Sequence, residues 1–161
     1  MRIQTFLEHS PAFAVRRAAQ RLEADLARIL HAYGVSFLDA LVLVSIFFEE
    51  PRPIKPSDLA MTLRTTRGNV SHCISALESR GLLRRRIDPA DARALNLFLR
   101  PAGRSAAMRV IRTLDRLQRD FEKQLGLDQL RAGLASIARF EEICAARAAA
   151  VRLEPPVHRP G

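Results

Sequence analysis

The stretch SDLAMTLRTTRGNVSHCISALESRGLLRRRIDPADARALNLFLRPAGR, residues 57–104, decides the fold. A short helical pattern begins at Pro56, which suits the first position of a helix, and it reaches a tight joint at Arg64. Thr66 is a residue type that caps the start of a helix, and Gly81 is one that follows a helix end. The sequence therefore predicts two short helices around a four-residue joint, which is helix-turn-helix geometry.

Two apolar and basic segments follow these helices, LLRRRI at 82–87 and ALNLFLR at 94–100. In the second segment leucines alternate with other residues, which is the two-residue period of a strand. The residues between the segments include Pro89 and two aspartates, which are turn formers. We therefore predict a β-hairpin, and two helices followed by a hairpin are the element order of a winged helix.

Longer helical patterns lie on both sides of this module. Apolar residues recur at spacings of three and four over 10–34, and Ser36 is placed to cap an almost wholly apolar helix over 37–49. After the hairpin, one helix is predicted from about 102 to 126 and another from about 128. The fold class is therefore mainly α, with a winged helix-turn-helix of three helices and a β-hairpin wing embedded in a helical dimerisation domain.

The chain length fits one such assembly rather than two independent domains. The predicted parts are an N-terminal dimerisation helix, a DNA-binding domain, C-terminal dimerisation helices and a disordered tail, at residues 1–35, 36–100, 101–150 and 151–161. The residues predicted to pair two subunits are the apolar ones in phase on these helices: Leu22, Leu114, Leu117, Phe121, Leu130, Leu134 and Ile137.

Positive charge is concentrated in the predicted module. The 161 residues carry a formal net charge of +9, and the sequence pI is about 11.2. Between Arg64 and Arg104 there are nine arginines and three acidic residues, so about a quarter of the chain holds six of the nine net charges. Such an excess favours a polyanionic partner, with nucleic acid first and an anionic membrane second.

Several other functional classes are disfavoured. The sequence has no Ser-His-Asp arrangement, paired catalytic carboxylates, Walker loop or GxGxxG motif at a suitable spacing, so we expect no enzyme. Cys73 and Cys144 lie far apart, which suggests neither a zinc site nor a disulfide framework. The most apolar run, 37–48, has 12 residues, whereas a membrane span needs ~20. We expect a cytoplasmic protein without metal or cofactor.

Three motifs follow one another in the decisive stretch: Arg80-Gly81-Leu82-Leu83, Asp88-Pro89-Ala90-Asp91-Ala92-Arg93 and Leu99-Arg100-Pro101-Ala102-Gly103. In their order and spacing they resemble the DNA-binding core of the MarR family of bacterial transcription regulators. The resemblance is close over residues 36–105. It implies a homodimeric regulator on a pseudo-palindromic operator in double-stranded DNA, commonly a repressor that a small aromatic or phenolic effector releases.

The second helix of the pair carries the residues expected to read bases. With Val70, Ile74 and Leu77 turned inward, a step of about 100° per residue turns the opposite face outward. The predicted base-reading residues are Arg67, Gly68, Asn69, His72 and Ser75, and the predicted phosphate contacts are Ser57, Arg64, Thr65, Thr66 and Ser71. Arg67 is as suited to phosphate as to guanine, and His72 could contact a base, a phosphate or only water.

In the hairpin, strand alternation puts Arg84 and Arg86 on the same side. Asp88 or Asp91 is expected to pair with an arginine and stiffen the turn. By resemblance to the family, Arg93 or Arg86 would enter the minor groove, where narrow geometry favours arginine. The alternative for this charge run is a solvated turn.

Other interpretations stay open at this point. Net charge alone would also suit a non-specific architectural DNA-binding protein, and the same fold serves as a protein-interaction module. Cys73 is in phase with Val70 and Leu77, which favours a small core residue over a redox switch. His31, Tyr33 and the arginines of the first helix could line an effector pocket, but ordinary helix packing and surface charge explain these residues better.

Overall fold

A computed structural model of the chain describes residues 2–89 and 91–153. The elements are α1 (Ile3–His9), α2 (Pro11–His31), α3 (Phe37–Glu49), α4 (Pro56–Thr62), α5 (Arg67–Ser79), β1 (Leu83–Asp88), β2 (Asp91–Leu99), α6 (Pro101–Leu125) and α7 (Leu127–Leu153). Two compact units can be distinguished, one formed by Gln20–Leu117 and the other by the two ends of the chain. The mainly α fold class with one hairpin is confirmed.

The core of the Gln20–Leu117 unit forms around α3 and α5. On α5 the predicted inward stripe is buried, namely Val70, Cys73, Ile74 and Leu77. It packs with the buried residues of α3, which are Ala40, Val42, Leu43 and Ile46. Helix α3 begins at the cap that the sequence predicts. Asp39 donates its N–H to Ser36 Oγ at 3.1 Å, and Ser36 donates its own N–H to the Asp39 carboxylate at 3.1 Å. This reciprocal cap fixes the start of α3.

The hairpin is antiparallel, with Leu83 opposite Leu99 and Arg85 opposite Leu97. Ile54, in the loop before α4, forms an isolated bridge with Leu97, whose N–H donates to the Ile54 carbonyl at 3.1 Å. No pattern in the sequence indicates this bridge. It attaches the base of the hairpin to the start of the helix-turn-helix, because β2 then has a neighbour on each of its edges.

The start of α6 lies against the end of the helix-turn-helix module. Arg100 donates its backbone N–H to the Leu82 carbonyl at 2.9 Å, and a Cβ atom at position 103 would overlap that same carbonyl. Gly103 is therefore required by close backbone approach rather than by its conformation. Ala106, Ala107 and Val110 continue the buried face of α6.

The unit formed by the chain ends is different, because none of its described residues is buried. The Phe6 and Phe13 rings meet edge to face at 6.4 Å between centroids. Leu134 and Ile143 on α7 remain 59% and 53% exposed. Within residues 2–89 and 91–153, no helix has both the length and the apolarity needed to cross a membrane.

Three predicted boundaries are wrong. The N-terminal segment contains two helices instead of one, because Ser10 before Pro11 is extended and Pro11 cannot continue a helix. Strand β2 begins at Asp91, three residues earlier than expected, since its pairing with β1 continues to the turn. The predicted tail begins too early, as α7 extends to Leu153; residues 154–161 lie outside the described residues.

Candidate nucleic-acid interface

The joint between α4 and α5 is a short, hydrogen-bonded turn. Arg64 has a φ of 49°, a left-handed backbone conformation that residues other than glycine, asparagine and aspartate rarely adopt. The Thr65 N–H donates to the Ala60 carbonyl at 3.0 Å, which closes the turn. This turn connects α4 to α5, which pack against each other, and it leaves the Arg64 side chain exposed at the corner.

The first turn of α5 is organised by two threonines. Thr66 Oγ1 accepts the Asn69 N–H at 3.1 Å, which confirms the predicted cap. The Asn69 side-chain amide donates to Thr65 Oγ1 at 3.3 Å. The hydroxyl oxygens of both threonines therefore have protein partners, while the Asn69 side chain is held at the surface beside the helix start.

All five residues predicted to read bases are exposed on α5: Arg67, Gly68, Asn69, His72 and Ser75. Gly68 is not explained by packing, since a Cβ there would meet only Thr66 Oγ1, at 3.9 Å. Its φ is ordinary for a helix, so the fold itself would accept alanine. Since packing within the chain does not require glycine at this position, its small size matters for a partner that approaches the outer surface of α5 closely.

Ser75 is more constrained than the sequence suggests. Its hydroxyl donates to the Ser71 carbonyl at 3.0 Å and accepts from Arg85 Nη2 at 2.5 Å. Ser71 itself is exposed, as are the predicted phosphate contacts Ser57, Arg64 and Thr66, whereas Thr65 is half-buried. The Ser57 hydroxyl donates to Asp58 at 3.1 Å, so its oxygen remains available as an acceptor but its proton is engaged.

The wing presents its arginines as strand alternation predicts. Arg84 and Arg86 are exposed, while Arg85 is half-buried against α5. The Arg86 guanidinium lies over the Phe98 ring at 5.6 Å from its centroid, a cation–π arrangement that restricts the side chain. Arg93 is exposed next to the turn.

The two aspartates of the turn find different partners from each other. Asp88 forms an ion pair with Lys55 at 3.1 Å, which ties the turn to the residue before α4. Asp91 accepts the backbone N–H of Arg93 at 3.0 Å. The sequence pointed to arginine as the partner and gave no signal for Lys55, since contact across the module depends on the third dimension. Arg93 and Ser57 consequently line one cleft, together with Lys55.

Cys73 lies on the buried face of α5, which we call the recognition helix, and its Sγ donates to the Asp39 carboxylate at 3.1 Å. Burial, the hydrogen bond to Asp39 and the charge of that carboxylate raise the pKa of the Cys73 thiol to about 12, while Arg80 lowers it slightly. Arg80 pairs with Asp39 at 3.3 Å and also donates to the Gly34 carbonyl. The thiol is thus protonated and unreactive at neutral pH, and the role of Cys73 is to pack in the core.

Comparisons with known proteins agree with this geometry. Residues 40–95 match the model of the MarR family. The chain carries a MarR-family winged-helix domain.

The regulator PrsX of Escherichia coli is 30% identical over 98 residues, which cover 61% of this chain and 59% of PrsX. The transcriptional repressor MprA of Escherichia coli K12 is 32% identical over 76 residues, covering 47% of this chain and 43% of MprA. The chain thus spans about three-fifths of PrsX and less than half of MprA in these matches.

Among solved structures, the repressor CouR bound to a 23-mer DNA duplex is 25% identical, with a TM-score of 0.70. The match covers 84% of this chain and 94% of CouR. A MarR family regulator named SP03579 reaches a TM-score of 0.78 at 19% identity, which supports the fold alone. These likenesses extend beyond residues 40–95 into the flanking helices.

Proposed function

We propose that the chain is a sequence-specific DNA-binding transcription regulator that acts as a homodimer on a pseudo-palindromic operator. The observation that carries the proposal is the outer surface of α5, where Arg67, Gly68 and Asn69 are exposed beside an arginine-bearing wing. Arg67 and Asn69 have the donor and acceptor groups that suit guanine and adenine edges. Gly68 would let the helix backbone approach the bases.

The wing would supply charge rather than sequence information. Arg84, Arg86 and Arg93 are exposed, and exposed guanidinium groups neutralise phosphates or enter a narrow minor groove. Arg64 and Ser71 lie on the same helix-turn-helix module and would fix its register on the duplex. Ser57 would join them only after its hydroxyl turns from Asp58 to donate to a phosphate.

Assembly as a homodimer is supported by the exposure of the terminal helices. Phe121, Leu134 and Ile137 are exposed, and Leu130 is only half-buried. Large apolar surface of this kind is rare on monomers and marks association. A second copy would cover it, and Leu22, Leu114 and Leu117 are expected to contribute. Two-fold symmetry would then place the recognition helices ~34 Å apart in successive major grooves.

Regulation by a small molecule belongs to the same proposal. The relatives MprA and CouR are named repressors, which favours repression here too. An aromatic or phenolic acid is the effector class suggested by resemblance. Tyr33, one of the residues that could line its pocket, accepts a hydrogen bond from the Thr113 hydroxyl at 3.1 Å, so a ligand there would compete with this contact.

The test begins with selection of bound fragments from genomic DNA, followed by competition between the selected duplex and its scrambled version at fixed salt. A regulator should prefer the selected duplex by about 10³-fold or more. Equal binding to both duplexes would instead support the architectural alternative, which rests on net charge alone. No binding to either would reject DNA as the partner.

A further inference from the structure

Glu78 stands where its helix disfavours it. It lies in the last turn of α5, and the C-terminus of a helix carries partial negative charge, so a carboxylate there is destabilising by itself. Its side chain is not free in solvent, being only 36% exposed. A tertiary contact must therefore offset the unfavourable position.

That contact is to the neighbouring strand of the wing. Glu78 Oε1 accepts the backbone N–H of Arg85 at 3.0 Å. Leu97, which pairs with Arg85 across the hairpin, turns its own N–H the other way, to Ile54. The Arg85 N–H thus lies on the outer edge of β1, where an unpaired donor would otherwise face solvent. The carboxylate of α5 takes the place of a third strand.

The Arg85 side chain adds two further contacts to α5. Its Nε lies 3.1 Å from Glu78 Oε2, and its Nη2 donates to Ser75 Oγ at 2.5 Å. One strand residue is therefore held to two helix residues through both its backbone and its side chain. We refer to Ser75, Glu78 and Arg85 as the wing clamp.

We propose that Glu78 is a positioning residue, whose clamp on Arg85 fixes the wing relative to the recognition helix so that both contact DNA together. This inference rests on the proposed function. Without the clamp, the hairpin keeps its bridge to Ile54 and the packing of Leu83 in the core, but β1 loses the polar contacts that fix Arg85 against α5. The exposed arginines of the wing would then be presented over a range of positions, and each phosphate contact would cost ordering entropy.

The test uses Glu78→Ala, Arg93→Ala and the double variant. For each, the logarithm of the DNA association constant K is measured against the logarithm of the salt concentration on the selected duplex. In the wild-type background, Arg93→Ala should flatten the slope by up to ~1.8 for a dimer, at about 0.9 per phosphate. In the Glu78→Ala background it should flatten the slope by less than half as much. Equal flattening in both backgrounds would overturn the proposal.

Two controls separate positioning from charge and from folding. Asp58→Asn removes an acid of equal charge from the same helix-turn-helix; if it reproduces the whole effect of Glu78→Ala, charge alone is responsible and the proposal fails. Glu78→Gln keeps the size and an acceptor for the Arg85 N–H but not the ion pair. It replaces the alanine variant in the same cycle, with the same criteria, if that variant does not fold.

Hydrogen exchange of the Arg85 amide tests the clamp without DNA. The amide should exchange faster in Glu78→Ala than in the wild type, while the amides of α5 that lie in the helix interior keep their protection. Unchanged exchange at Arg85 would overturn the clamp even if the protein binds DNA. Faster exchange in a protein that binds no duplex would reject the proposed function and the role in DNA binding, while leaving the contact itself established.

Discussion

Gly68 is the second residue of α5, and glycine is a poorer helix former than every other residue type except proline. Because an added Cβ meets only Thr66 Oγ1 at 3.9 Å, Gly68→Ala should raise the free energy of unfolding by about 0.5–1 kcal/mol. The same methyl would stand between the helix and the base edges, so affinity for the selected duplex should fall. Urea denaturation and DNA titration measure the two effects.

Gly133→Ala is the matched control for this variant. Gly133 lies within α7, and a Cβ there meets nothing within 4 Å, so the gain in stability should be similar. Gly133 shares the face of α7 that carries Leu134 and Ile137, so sedimentation must first show that the control is still a dimer. The DNA affinity of that dimer should equal that of the wild type. If Gly68→Ala binds DNA as tightly as the control does, the surface around Gly68 is not the base-reading surface.

Cys73 should be unreactive in the folded protein. Its pKa of about 12, raised by burial and by Asp39, keeps the thiol protonated at pH 8, whereas an unfolded thiol has a pKa near 9.0. In a Cys144→Ser background, a thiol reagent should therefore label no cysteine in buffer and one per chain in denaturant. Rapid labelling in buffer would show that the thiol is accessible and that packing is not its main role.

The same shift makes stability depend on alkaline pH. The folded-state pKa of Cys73 lies above the unfolded value, so its contribution is complete below pH 9.0 and is lost as pH rises toward about 12. Cys73→Ser keeps a donor for Asp39 but does not titrate in this range. The free energy of unfolding is measured against pH for the wild type and for Cys73→Ser. The difference between the two curves separates the loss of stability due to Cys73 from the loss due to other titrating groups.

At the scale of elements, the contact between α6 and the segment before β1 depends on Gly103. Alanine at this position would overlap the backbone carbonyl of Leu82, which cannot move without disturbing its hydrogen bond from Arg100. Gly103→Ala should therefore lower the free energy of unfolding by about 1–3 kcal/mol, although it improves helix propensity. A stability equal to or above that of the wild type, measured in urea, would contradict this packing.

The elements show what sequence could predict. The caps at Ser36 and Thr66 were predictable because donor and acceptor lie three residues apart. The inward stripe of α5 was predictable because helix geometry fixes which residues share a face. Neither reason applies to Ile54. It pairs with β2 through one isolated bridge, and a single residue has no periodic pattern from which the pairing could be predicted.

The candidate site was predictable to a similar depth. Alternation along β1 correctly separates Arg85 from its two neighbours, since the direction of a strand side chain follows from its position. The choice of partner could not be read in this way. Among many cations the sequence does not show that Asp88 meets Lys55, or that Glu78 meets Arg85, because those pairs form only when α4, α5 and the hairpin pack.

At the scale of the whole molecule, assembly is the first expectation to test. The terminal helices expose Phe121, Leu134 and Ile137, so the protein should sediment at micromolar concentration as a particle of twice the 18.0 kDa chain mass. Replacing Leu134 and Ile137 together by aspartate should shift it toward the monomer, because charge on an apolar interface is costly. A stable wild-type monomer that still binds a full operator would contradict the homodimer.

The central claim is that α5 reads sequence while the wing supplies charge, and a salt series with two variants tests it most directly. Arg93→Ala should flatten the slope of log K against log salt by up to ~1.8 and weaken binding to selected and scrambled duplexes alike. Asn69→Ala should instead cost about 1–3 kcal/mol on the selected duplex, with little loss on the scrambled one. If Asn69→Ala weakens both duplexes equally, or Arg93→Ala leaves affinity and slope unchanged, this division of roles is wrong.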